Sequence, residues 1–253
     1  MKKVVAKKSL GQNFLKDEEI IEGIFDVAEV TPTDWVLEIG PGTGALTQHL
    51  VNRAEKVMAV ELHHMLIEDL RLQFGEAKNI TLVEGNILDI NIQELLMTSQ
   101  FAEHGYKIIA NIPYYITAPI IRMLLSLKDQ PVSMTLMVQD EVADRLSAKP
   151  GDMSMLSLMA QFYSTVEKKL LVPKEAFEPV PKVNSAVICI VPQRAYEPEE
   201  DKKLFRLARA GFSARRKTLS NNLSSSLGVS KEVVEAKLAE LSLRNDIRAQ
   251  ALS

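Results

Sequence analysis

The chain has 253 residues, of which 46% are hydrophobic and 25% charged, and its net charge is −3. That length exceeds one ordinary core and predicts a large domain with a small one beside it. No apolar run approaches the ~20 residues that span a bilayer, the start MKKVVAKKSLGQNF lacks the apolar stretch of a signal peptide, and a single cysteine excludes an internal disulfide. A cytoplasmic protein without a membrane partner is expected. Cys189, inside AVICIV, reads as a buried small hydrophobe, and the four histidines show no ligand spacing with cysteine or carboxylates, so no metal site is expected.

Residues 1–16 carry five lysines and no acid and predict a flexible basic arm. Charge is uneven beyond it as well: residues 1–181 hold 17 basic and 25 acidic groups, whereas 182–253 hold 13 and 8. Basic charge concentrated at the two ends points to a polyanionic partner.

The first strand-like run is WVLEI (35–39), and "GPGTGAL" follows it into a helical pattern over 44–53. Gly40, Gly42 and Gly44 permit a tight turn and close backbone approach to a ligand. With Ala45 the run also fits the dinucleotide fingerprint, so the glycines alone leave two cofactors open. Glu38 argues against a pyrophosphate, which a carboxylate there would repel, and tolerates a cationic sulfonium ligand bearing an ammonium group. KVMAV (56–60) forms the second strand. Glu61 at its end suits ribose hydroxyls in either case, and a helical pattern follows over 64–74. ITLV (80–83) runs into "VEGNILDI", where Asn86 would sit beside the cofactor's adenine and Asp89 would cap the next short helix.

The fourth strand, KIIA (107–110), ends in "NIPYYI". Pro cannot donate to a sheet ladder and keeps the preceding residue out of a helix, so the strand opens into a stiff turn. There "NIPY" resembles the catalytic motif of amino-group methyltransferases, and the resemblance implies that the Asn111 amide oxygen and the Ile112 backbone carbonyl accept the hydrogens of a target amine. An adenine amine is a poor nucleophile because its lone pair is delocalised into the ring. Such acceptors would turn that lone pair toward a methyl donor, mainly by positioning and electrostatics. Pro113 stiffens the turn, Tyr114 offers a ring on which a flipped base stacks, and Tyr115 is expected to pack. A helical pattern over 117–127 leads to the fifth strand, VSMTLMV (132–138). VEKKLLV (166–172) and SAVICIV (185–191) have no helix between them and predict an antiparallel pair. Their connection, "FEPVPKVNS", offers Phe177 as a second ring for the base. QRAYEPEED reads as a linker, and everything from about 199 onward reads as helical.

Strands alternating with helices define an α/β domain with a parallel sheet. Seven strands with an antiparallel final hairpin resemble the Rossmann-like class I methyltransferase sheet, here with a small C-terminal all-helical domain. The boundaries expected are 1–194 for the methyltransferase domain and 195–253 for a helical RNA-binding domain. "NIPY" resembles the (Asn/Asp/Ser)-Pro-Pro-(Tyr/Phe) motif of amino-group methyltransferases. Taken with "KKSLGQNFL", "EIGPGTGALT", "VQDEVADRLSAKPG", "FEPVPKVNSAV" and "GFSARRKTLSNNL", it makes nearly the whole chain resemble the ribosomal RNA adenine dimethyltransferases. The resemblance implies S-adenosyl-L-methionine as cofactor, held by Asn13, Leu15, Glu38, Gly40, Gly42, Glu61, Leu62, Asn86, Ile87 and Asn111. It implies two methyl transfers to each of two adjacent adenosines near the 3′ end of small-subunit (16S) rRNA. The implied partner is the assembling small ribosomal subunit, met by a monomer.

Three departures from that family stand out. Asn86 replaces a usual Asp, which predicts a loss of roughly 1 kcal/mol in cofactor binding. "GDMSMLSLM" (151–159) lacks the aromatic–glycine step common before Leu156 and Ser157, and with the sequence ending at Ser253 the helical domain is expected to be short and to lack a final helix. On the RNA side, Arg215, Arg216 and Lys217 stand at a helix start, where cations oppose the macrodipole and phosphate contact explains them better. Lys2, Lys3, Lys7 and Lys8 would order over RNA, and Arg145 and Lys149 would add to the same face. Two alternatives stay open: a large-subunit rRNA dimethylase of antibiotic-resistance type, and a catalytically weak assembly or binding factor on the same fold. A third, an NAD-dependent oxidoreductase, lacks a catalytic Tyr-Lys pair or a His partner.

Overall fold

Most of the continuous apolar runs become strands buried on both faces, as parallel strands between helical layers must be, whereas ITLV becomes a half-exposed edge strand. In chain order the structure, a computed structural model that describes residues 13–194 and 197–252, begins with β1 (Phe14–Leu15), α1 (Glu18–Ala28), β2 (Trp35–Ile39), α2 (Thr47–Arg53) and β3 (Lys56–Glu61). It continues through α3 (His64–Phe74), β4 (Ile80–Glu84), α4 (Ile92–Thr98), α5 (Phe101–His104), β5 (Tyr106–Asn111), α6 (Thr117–Leu125), β6 (Ser133–Gln139) and α7 (Asp140–Leu146). Then come α8 (Met155–Tyr163), β7 (Ser164–Val172), β8 (Phe177–Glu178), β9 (Ser185–Pro192) and three helices, α9 (Pro198–Gly211), α10 (Leu219–Leu227) and α11 (Lys231–Glu240).

The large sheet has the order β4-β3-β2-β5-β6-β9-β7. The first five strands pair in parallel, and β9 pairs antiparallel with both β6 and β7. The chain reverses its direction of sheet growth between β2 and β5. The C-terminal ends of such a pair leave the crevice where open α/β sheets bind ligands. Ile39 lies level with Val60 on one side and Ala110 on the other, so Gly40, Glu61 and Asn111 all emerge at that crevice.

Helix α1 shows how local chemistry sets the packing. Asp17 caps it by accepting the backbone N–H groups of Glu19 and Ile20, and Glu18 and Glu19 in the first turn suit the positive end of the dipole. Ile21, Ile24, Phe25 and Ala28 fall on one face and join a core with Val36, Val57, Ile109, Val172, Phe177 and Val187.

The expectation of a flexible arm over 1–16 does not hold at Phe14 and Leu15. Phe14 and Leu15 pair antiparallel with Glu178 and Phe177, and Leu15 is buried. Two residues are too few to show a strand period, but their ladder draws Leu15 into the core. Lys2, Lys3, Lys7 and Lys8 lie outside the described residues. The domain boundary also differs from the expected 194/195. The chain forms two units, one of residues 13–144 with 163–194, the other of 145–162 with 197–252. The second unit has its own core of Leu219, Val234, Leu238 and Ala249, packed against Phe212 and Leu223. Residues 145–162 belong there because Gly151 and Met153 donate backbone N–H groups to the carbonyl of Gln250. Cys189, expected to be buried, is half-buried on β9. Among the described residues no helix is long and apolar enough to cross a membrane.

Candidate active site

The turn after β2 runs through Gly40, Gly42 and Gly44 at φ of +70°, +61° and +89°. At Gly44 a Cβ would lie 2.9 Å from a ring carbon of Phe74, so neither the backbone angle nor the space admits a side chain. The Gly42 N–H donates to Glu61 Oε2 at 3.1 Å, and the His63 N–H donates to Glu61 Oε1 at 2.9 Å. Two backbone amides thus fix the Glu61 carboxylate across the ends of β2 and β3. Each oxygen keeps a second lone pair for a hydroxyl.

Glu38 points into the same cleft and is 1% exposed. Thr47 Oγ1 donates to its Oε2 at 2.7 Å, whereas its Oε1 has no partner among the described residues. Burial pushes its carboxyl up to about 8. The Thr47 hydrogen bond opposes the rise, and the nearby charge of Glu61 adds to it.

Asn86 and Ile87 line the cleft from the turn after β4, and Leu62 lines it from the end of β3. Asn86 is committed on both sides: its Oδ1 accepts the Leu88 N–H at 3.1 Å, and its Nδ2 donates to Asp89 Oδ2 at 2.8 Å. Asp89 is therefore not the helix cap expected; Asn91 caps α4 by accepting the Glu94 N–H. The pair explains why an amide suits position 86 in this chain, since a carboxylate there would face Asp89. Asn86→Asp is therefore expected to cost about 1 kcal/mol of folding stability through repulsion between neighbouring carboxylates, and adding Asp89→Asn should restore it. Urea unfolding of the single and double variants checks this, and a single variant as stable as wild type would refute it.

Asn111 ends β5 and lines the cleft with Ile112, Pro113 and Tyr114. Its Nδ2 points to the Asn13 carbonyl at 3.5 Å, which turns Oδ1 away from that contact. Asn13 and Leu15 line the cleft beside it. Tyr114 begins a single 3-10 turn, and its hydroxyl lies 2.7 Å from Ser185 Oγ at the start of β9. Burial raises the Tyr114 hydroxyl's pKa, and the Ser185 hydrogen bond lowers it in part.

Two aromatic expectations reverse. Phe177 is 0% exposed and sits in the core, paired in register with Leu15. It is absent from the cleft lining and presents no ring face there. Its backbone belongs to β8, whose alternation turns this side chain inward and leaves Glu178 outside. Tyr115, expected to pack, is 62% exposed and lines the cleft. The sequence reading also missed Phe14, His63 and Thr47. Phe14 lay within "KKSLGQNFL" and Thr47 within "EIGPGTGALT", and their places on β1 and α2 give them their roles.

In the second unit, Arg215, Arg216 and Lys217 are exposed in the turn before α10, which Thr218 caps. Buried Asn222 fixes that turn by donating to the carbonyls of Gly211 at 2.7 Å and Ala214 at 3.0 Å. Arg215 lies 3.6 Å from Asp152, with both side chains largely in solvent. Arg145 and Lys149 are exposed in the same unit, where Gln161 holds the carbonyls of Leu146 and Ala148. Lys7 and Lys8, also expected on RNA, lie outside the described residues.

The cleft's donor set separates the two cofactors left open by the glycines. Among the described residues it is lined by Glu38 and Glu61 and by no lysine or arginine. A pyrophosphate would meet two acids there, whereas the unpartnered Glu38 oxygen suits a cation. The residues present therefore fit S-adenosylmethionine. Such a cleft, at the switch point of a seven-stranded sheet with an antiparallel β7–β9 hairpin, makes this a class I methyltransferase. More narrowly, the chain belongs to the ribosomal RNA adenine dimethylase family, whose family model matches residues 4–252. It is 43% identical over 250 residues to ribosomal RNA small subunit methyltransferase A of Dehalococcoides mccartyi (strain CBDB1), covering 98% of this chain and 84% of that protein. With the protein of the same name from Bacillus cytotoxicus it shares 41% identity over 255 residues, covering 98% and 87%. Among solved structures it resembles a dimethyladenosine transferase from Plasmodium falciparum, with a TM-score of 0.75 and 25% identity over 95% of this chain and 93% of that one. It also resembles the 23S rRNA methyltransferase ErmE, with a TM-score of 0.71 and 25% identity over 95% of each chain.

Proposed function

We propose that the protein transfers methyl groups from S-adenosylmethionine to the exocyclic amines of two adjacent adenosines near the 3′ end of small-subunit rRNA, two to each. It does so as a cytoplasmic monomer acting on an assembling small subunit. The observation that carries the reading is the Asn111–Tyr114 turn, which opens from the central strand into the same cleft as the glycine turn. Relatives named as small-subunit methyltransferases, similar over 98% of the chain, favour the small subunit over the large one.

The bound cofactor supplies an electrophilic methyl group on a sulfonium sulfur. Glu61 holds ribose hydroxyls with the lone pairs its two backbone donors leave free. Asn86 and Ile87 border the adenine. On the substrate side, Asn111 Oδ1 and the Ile112 carbonyl accept the two hydrogens of the target amine. Those contacts turn the nitrogen lone pair out of the ring's π system and toward the methyl carbon. The gain is realised as positive charge develops on nitrogen, so these two oxygens stabilise the transition state more than the ground state. Once alkylated, the nitrogen is acidic enough to lose its proton to water, and no strong base is required. Pro113 limits the turn's freedom. Ser185 holds the Tyr114 hydroxyl, so the ring keeps one orientation for stacking on the flipped base. Tyr115 stands exposed at the same cleft and is the available second ring.

Arg215, Arg216 and Lys217 contact phosphates, joined by Arg145 and Lys149 and by the lysines of the N-terminal segment. Changing Arg215 and Arg216 to Glu is expected to weaken small-subunit binding and to reduce the slope of log affinity against log salt by about two. Melting temperature should not move, because both side chains are exposed. Filter binding across a salt series checks this, and an unchanged slope would count against phosphate contact. The cofactor half is tested by thermal shift: S-adenosylmethionine should raise the melting temperature and NAD should not.

A further inference from the structure

Glu38 combines three features that rarely coincide. Its carboxyl is 1% exposed, one of its oxygens has no partner among the described residues, and that residue lines a ligand cleft. A buried carboxylate is held ionised by a cation or by several donors. Here one neutral donor, the Thr47 hydroxyl, is provided. Among the described residues, the titratable groups that line the cleft with it are Glu61 from β3, His63 before α3, and Tyr114 and Tyr115 after β5. Strands β1, β2 and β5, the turn after β4 and the helices α2, α3 and α6 bring no lysine or arginine to that lining.

We infer that Glu38 stands neutral in the free protein and gives up its proton when a cationic ligand enters the cleft, so that cofactor binding releases a proton to solvent. This rests on the reading of the cleft as the S-adenosylmethionine site. The step balances as a neutral carboxyl plus a cation going to a carboxylate–cation pair plus a free proton. Burial pushes the free carboxyl up to about 8, and a cation at contact lowers it again. Between those two values the complex holds one proton fewer than the free protein. Affinity therefore rises up to tenfold per pH unit as pH approaches 8 and levels off above it. Folding is linked with the opposite sign. The unfolded chain's carboxyl ionises at its ordinary value of 4.5, so the free protein loses stability relative to Glu38→Gln as pH rises from about 5 to 8.

The cofactor carries two cations, an ammonium and the sulfonium, and ligand choice separates them. Isothermal titration of the full chain at pH 7, in phosphate and in Tris, gives the number of protons released from the difference in binding heat. With S-adenosylmethionine about one proton should leave. S-adenosylhomocysteine keeps only the ammonium and should match it if the ammonium is the partner, or release none if the sulfonium is. 5′-Methylthioadenosine carries neither cation and should release none. Glu38→Gln should release none with any of them, and the wild-type titration decides the point even where that variant folds poorly. S-adenosylmethionine bound with equal heats in both buffers would overturn the inference and leave the cofactor reading standing. No binding at all would overturn both. Equal proton release from 5′-methylthioadenosine, or from Glu38→Gln, would also overturn it.

Discussion

Asn111→Ala is expected to lower the rate of methyl transfer by roughly 10²–10³-fold, the usual loss when one preorganised group facing developing charge is removed. Cofactor affinity should stay within a few-fold of wild type. The reason lies in how the cleft is divided. The groups proposed to hold most of the cofactor, Glu61 with its Gly42 and His63 donors, the glycine turn and the Asn86–Ile87 turn, follow β3, β2 and β4, whereas Asn111 ends β5. Asn111 is half-buried at the end of β5, and the 3.5 Å contact from its Nδ2 to the Asn13 carbonyl is long, so truncation should cost little stability. Single-turnover methyl transfer on small subunits, with a separate Kd for the cofactor, distinguishes the outcomes. Wild-type transfer by Asn111→Ala would remove the amine-orienting role. Loss of cofactor binding in step with activity would make Asn111 a binding residue instead.

Phe177→Ala is expected to destabilise the protein by about 3–5 kcal/mol, the range for emptying a buried aromatic site. Its ring is 0% exposed and packs in one core with Leu15, Val172 and Val187. Phe177→Leu refills most of that space and should fold with a smaller loss, of roughly 1–2 kcal/mol. The folded Leu variant should transfer methyl groups at a rate close to wild type. A clamp on the base would behave in the opposite way, since Leu would then be tolerated by the fold and damaging to the chemistry. Urea unfolding together with transfer rates below the unfolding midpoint separates the two. A Phe177→Leu protein that is stable and inactive would return the ring to the substrate.

Much of this was legible because the inner parallel strands β2, β3, β5 and β6 are buried on both faces and so read as unbroken apolar runs. WVLEI became Trp35–Ile39 with no shift, and KIIA lengthened by one residue at each end to Tyr106–Asn111. The cleft residues were legible where function constrains the backbone itself, as at the glycine turn and at Pro113. What stayed hidden depended on partners distant in sequence. The strand Phe14–Leu15 exists only through its ladder with Phe177–Glu178, and the same ladder turns Phe177 inward. The Asn86–Asp89 bond, which makes an amide preferable at position 86, requires the turn to be folded before the two side chains meet. Tyr115 carries no signal that separates an exposed ring from a packed one. The grouping of 145–162 with the C-terminal helices rests on backbone bonds to Gln250, about a hundred residues away in sequence, which no local pattern announces.

The most direct test uses the purified full chain, labelled S-adenosylmethionine and immature small ribosomal subunits that lack the dimethyladenosines. Mature large subunits and free rRNA are assayed in parallel, with nucleoside mass spectrometry as the readout. Label is expected in dimethyladenosine, in the small subunits alone, approaching four methyl groups per subunit. Label in the large subunits instead, or tight small-subunit binding with no transfer, would contradict a small-subunit adenine dimethyltransferase.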